Sequence, residues 1–67
     1  MLEIPSPEEL KELAHDAGET EESVEEMFEL YSHGFRDSEI AEITGADIAA
    51  VDWVLRAEGL DPFNNDY

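Results

Sequence analysis

Nineteen acidic side chains face three basic ones in a chain of 67 residues, a formal net charge of −16. Like charges at that density repel and oppose compaction at ordinary ionic strength. Two accounts of such a chain compete. High net charge with low hydrophobicity leaves a chain disordered. Alternatively, the chain folds in molar salt, where the Debye length falls to about 3 Å and the repulsion is screened. The sequence is 42% hydrophobic, and its apolar residues recur at helical spacing, which favours folding. The acid is spread over every segment rather than gathered into a tail, and Lys11 is the one lysine. The composition therefore points to a salt-rich cytoplasm. The competing account is an acidic protein that binds a basic partner.

Length allows one small domain with one core. Cysteine is absent, which excludes disulfides and thiolate metal sites. His15 and His33 lie far apart with no ligand cluster between them, so no metal or other cofactor is expected. Paired carboxylates such as Glu8 with Glu12 and Glu22 with Glu26 are inevitable at this acid content and do not signal an active site. No nucleophile sits at a meaningful spacing from a base, and no phosphate-binding glycine loop is present. The expectation is a non-enzyme without a small-molecule substrate. No apolar run is long enough for a membrane span, and MLEIPSPEEL lacks the basic and apolar regions of a signal peptide. A cytoplasmic location is expected.

The periodicity predicts an all-α domain of three to four helices over residues 7–60, with an arm at 1–6 and an irregular tail at 61–67. Ser6 caps the first helix, Pro7 suits its first position and Glu9 completes a capping box. Leu10, Leu13, Ala14 and Ala17 form its apolar stripe, and Gly18 ends it. Thr20 caps a second helix that carries Val24, Met27, Phe28 and Tyr31 and stops near His33-Gly34. Leu30 widens its apolar face. Its glutamates at 21, 22, 25, 26 and 29 include like-charge pairs three and four apart, which destabilise a helix at low salt. Phe35 reads as a core plug. Asp37 or Ser38 caps a short third helix with Ile40, Ala41 and Ile43. Gly45 supplies a left-handed turn position. Asp47 caps a fourth helix, with Ile48, Val51, Val54 and Leu55 facing inward and Ala57 closing the pattern. In the tail, Phe63 can fold back on the body, while Tyr67 reads as loose.

The stretch DSEIAEITGADIAAVDWVLR, residues 37 to 56, carries the most specific signal. Ala41 is a small residue in the middle of one helix, Gly45 follows four later, and Val51 six after that. Ile40 and Val54 complete the contacts. This spacing resembles the helix-turn-helix family of small DNA-binding transcriptional regulators, here in an acidic, haloarchaeal-like version. Gly34-Phe35 is similar to the lead-in of many such units. The resemblance implies that a helix over 46 to 58 is the recognition helix of the major groove. Its outward face would then comprise Asp47, Ala49, Ala50, Asp52, Trp53 and Arg56, with Arg36 reaching backbone phosphate.

That face departs from the family. DNA readers use Arg, Lys, Asn or Gln against base edges, and phosphate contacts supply much of the affinity. Arg56 is the one strong donor here, and Asp47 and Asp52 would repel phosphate. Arg36 has an alternative role as a surface charge beside Glu39 or Asp37. Trp53 either covers the first helix through Leu10 or Leu13 or stands exposed. Exposed, it joins Ala49, Ala50 and Ala57 in a smooth apolar face suited to a homodimer or to another protein. The expected function is a small regulator contacting double-stranded DNA. The alternative is a protein-interaction module that keeps the fold without binding DNA.

Overall fold

The computed structural model describes residues 4–60. They form four helices in sequence: α1 (Pro7–Ala17), α2 (Glu21–Ser32), α3 (Asp37–Thr44) and α4 (Ile48–Ala57). α2 touches the other three helices, and α1 also packs on α4. No described helix is long and apolar enough to cross a membrane. The tail at 61–67, with Phe63 and Tyr67, lies outside the described residues, as does Leu2 of the arm.

Local hydrogen bonds explain where the helices begin and end. The Ser6 hydroxyl accepts from the Glu9 N–H at 3.4 Å, and the Thr20 hydroxyl from the Ser23 N–H at 3.1 Å. Each satisfies one N–H that the first helical turn leaves unpaired. Three helices close in the same way. The N–H groups of Gly18 and Glu19 donate to the carbonyls of His15 and Ala14. Those of Gly34 and Phe35 reach Tyr31 and Leu30, and those of Gly59 and Leu60 reach Arg56 and Leu55. This paired closure commonly brings a hydrophobic contact with the residue after the glycine. Phe35 and Leu60 take that place, and both pack against the core. The expected plug role of Phe35 is thus built into the end of α2.

The start of α3 differs from the sequence expectation. Neither Asp37 nor Ser38 is the cap. Arg36 is the capping residue, and the Glu39 carboxylate reaches back to accept from the Arg36 backbone N–H at 3.0 Å. Asp37 begins the helix, is 7% exposed, and accepts from the Ser38 N–H at 2.8 Å. A carboxylate suits the positive end of the helix dipole.

The turn between α3 and α4 is short and internally satisfied. Gly45 has φ +79°, a left-handed conformation that costs an L-residue roughly 1–2 kcal/mol. Its N–H donates to the Ala41 carbonyl at 2.9 Å. The Thr44 hydroxyl donates to the Ile40 carbonyl at 2.8 Å and accepts from the Ala46 N–H at 3.2 Å. Asp47 then caps α4, as its sequence position predicts, by accepting from the Ala49 N–H at 3.3 Å.

All four helices build one core. Leu10, Leu13 and Ala14 come from α1, Val24, Met27 and Phe28 from α2, Ile40 from α3, and Val51, Val54 and Leu55 from α4. Ala41 and Tyr31 pack at its edge. Two isoleucines depart from expectation. Ile48, expected to face inward, is 46% exposed, and Ile43 is 50% exposed. In α3 the inward side is set by Asp37 and Ile40, and in α4 the buried stripe begins only at Val51.

Candidate interaction face on α4

The buried stripe of α4 fixes what its other side shows. Val51, Val54 and Leu55 point into the core. At about 3.6 residues per turn, Ala49, Trp53 and Arg56 align on the opposite face. Ala49, Trp53, Arg56 and Ala57 are all exposed, while Ala50 and Asp52 are half-buried at the margins. Asp47 is exposed at the N-terminal end. The helix spans Ile48–Ala57, shorter at both ends than the expected 46 to 58, because Asp47 caps it and Glu58 closes it.

Trp53 is 45% exposed. It is outside the buried core, which includes Leu10 and Leu13. Ala49 and Ala57 stand one turn before and one turn after it on the same strip. Small side chains there leave the indole as the tallest feature of an otherwise low surface.

Arg56, the strong donor expected on this face, is engaged. Its Nε donates to Asp52 Oδ1 at 2.8 Å, one helical turn away. The pair spends the guanidinium partly within the helix and cancels the charge of Asp52. α4 therefore carries one acid and one base that neutralise each other. α2, by contrast, carries five glutamates and no basic residue. Arg36 is exposed at the start of α3, and its guanidinium forms no ion pair among the described residues. Glu39 meets its backbone rather than its side chain.

Acid is gathered on other helices of the molecule. A shallow groove along α2 is lined by Glu22, Glu25, Glu26 and Glu29. A second, along α1, is lined by Glu8, Glu9, Glu12 and Asp16, with Lys11 and His15. At the foot of α4, Glu58 lies against Glu9 of α1. Burial, a hydrogen bond to Glu9 and the charge of Glu9 all raise the Glu58 carboxyl above its ordinary value of 4.5. Sequence reasoning missed this contact, because no local spacing links the first turn of α1 to the end of α4. His15 Nδ1 stands 3.6 Å from Asp16 Oδ1 at the surface. No group of three or more His, Asp or Glu placed to hold a metal ion occurs among the described residues.

No protein-family model matches the chain, and neither the curated proteins nor the solved structures provide a match to it.

Proposed function

We propose that α3, its turn and α4 form a helix-turn-helix unit, and that the protein is a transcription-associated interaction module. In this reading α4 presents its outward face to another protein, without catalysis. Support for the unit comes from the turn and the packing: Gly45 in a left-handed conformation, Ile40, Val51 and Val54 fully buried, and Ala41 at the core edge.

The observation that carries the choice of ligand is the chemistry of the α4 face. Trp53 stands 45% exposed between two alanines, and Arg56 is bonded to Asp52. A tryptophan among small residues suits a protein partner, where such side chains anchor binding. A base reader needs donors aimed outward and cations on the flanks. Direct contact with double-stranded DNA is the second reading. It is favoured by the spacing of the unit and by the exposed Arg36, and in molar salt the loss of counterion release weighs less.

The test is selection of double-stranded DNA from a random pool by the full chain at about 2 M KCl, where screening is nearly complete. Circular dichroism confirms folding in the same sample. The proposed reading expects no enriched sequence. Enrichment that disappears in Arg56→Ala would overturn it and establish a DNA reader.

A further inference from the structure

We infer that the α4 face docks a cationic, amphipathic segment of another protein, which covers Trp53 with apolar side chains and sets lysines or arginines against Asp47 and the net acidic charge of the molecule. This rests on the reading of α4 as a protein-binding helix and adds the chemistry of the partner.

Charge selects between occupants. The strip itself is neutral, because Arg56 and Asp52 are bonded to each other. Its two ends are acidic, with Asp47 at one and Glu58 at the other. The molecule behind it carries 19 acids against three bases. A second copy brings the same acidic rim toward this one, and Arg56, the cation of the strip, is already bonded to Asp52. A cationic segment is instead drawn in by the whole field.

Area points the same way. A helix of ten residues is about 15 Å long. A strip of alanines around one indole on such a helix offers well under the roughly 800 Å² per partner that a stable interface covers. Apolar contact on α4 alone does not hold two copies together. A cationic partner gains a further contact with the exposed Asp47 carboxylate at the end of the strip. Trp53 then supplies the anchor and the charges supply orientation and encounter rate. The alanines at 49 and 57 let a partner backbone come close.

Trp53 is the single tryptophan, so its emission reports on the face directly. The full chain is titrated at low salt and at about 2 M KCl with three synthetic probes. One peptide has a leucine stripe flanked by lysines, the second has glutamates in place of those lysines, and the third is oligolysine. Ala49→Glu serves as the variant. It places a bulky carboxylate on an exposed position, which blocks the strip while increasing the attraction for cations.

The leucine–lysine peptide is expected to blue-shift Trp53 emission and to bind at least about tenfold more tightly than either other probe. The shift should be lost in Ala49→Glu and should persist, weakened, in high salt. Three results would overturn the inference: an equal shift with oligolysine, unchanged or tighter binding by Ala49→Glu, or a concentration-dependent blue shift without peptide, which assigns the face to a second copy. A duplex DNA selected as above that shifts Trp53 would sink the protein-binding reading itself. Failure of every peptide with no DNA response sinks only the cationic partner.

Discussion

The Glu58 carboxyl sits half-buried at the C-terminal end of α4, hydrogen-bonded to Glu9 from the first turn of α1. Burial, that hydrogen bond and the Glu9 charge all favour its neutral form. The folded state therefore holds this proton more tightly than the unfolded chain. Its contribution to stability is complete below the ordinary value of 4.5 and is lost as pH rises through the raised folded value. Glu58→Gln keeps a donor for Glu9 and cannot ionise. We predict that this variant is more stable than the parent at neutral pH, with the difference shrinking as pH falls toward 4.5. Urea unfolding of both proteins across that range, at one salt concentration, measures it. A difference that does not change with pH would contradict the contact.

Single residues were legible where their roles are local. The Asp47 cap and the Gly45 turn follow from side-chain reach and backbone geometry, which sequence displays. The Arg56–Asp52 bond also has a readable signal, since the two lie four apart on one helix. Trp53 is harder to read: two positions past Val51 it stands on the outward side of the helix, yet an indole is large enough to reach back over a neighbouring helix. The outward turn of Ile43 and Ile48, and the meeting of Glu58 with Glu9, depend on how helices dock and carry no local pattern.

Among the elements, α2 is under the most internal strain from charge. Its glutamates at 21, 22, 25, 26 and 29 are all exposed, and several stand one helical turn apart. Each such like-charge pair costs roughly 0.2–0.5 kcal/mol at low salt. The helix persists because Val24, Met27 and Phe28 are fully buried and Thr20 caps its start. Glu25→Lys turns the pairs with Glu21, Glu22 and Glu29 from repulsive to attractive. We predict a gain of about 1 kcal/mol at low salt, largely lost at about 2 M KCl, where charges are screened within a few Å. Thermal unfolding at the two salt concentrations checks it, and a gain that ignores salt would contradict the account. The bounds of α1 and the start of α2 are readable from local caps and closing glycines, while α2 ends at Ser32, just short of the expected stop near His33-Gly34. α3 was misread at its start because Glu39 reaches back to the backbone of Arg36, while Asp37 turns into the body.

For the whole molecule, the all-α core followed from periodicity. All ten buried apolar side chains lie on the stripes that helical spacing marks in the sequence. Function was less legible, since the same spacing at 37 to 56 serves a base reader or a protein dock. The proposed reading rests on the outward chemistry of α4: a neutral strip, a bonded arginine and a half-exposed indole on an acidic molecule. That strip exists only if Trp53 stands clear of the core in the isolated, folded chain. Acrylamide quenching of its emission in dilute solution at about 2 M KCl, with helicity and monomer state read from the same sample, tests this most directly. The account predicts red-shifted emission from a folded monomer, quenched to a large fraction of the rate seen in the urea-unfolded chain. Blue-shifted emission shielded from acrylamide in the folded monomer would place Trp53 in the core and remove the face.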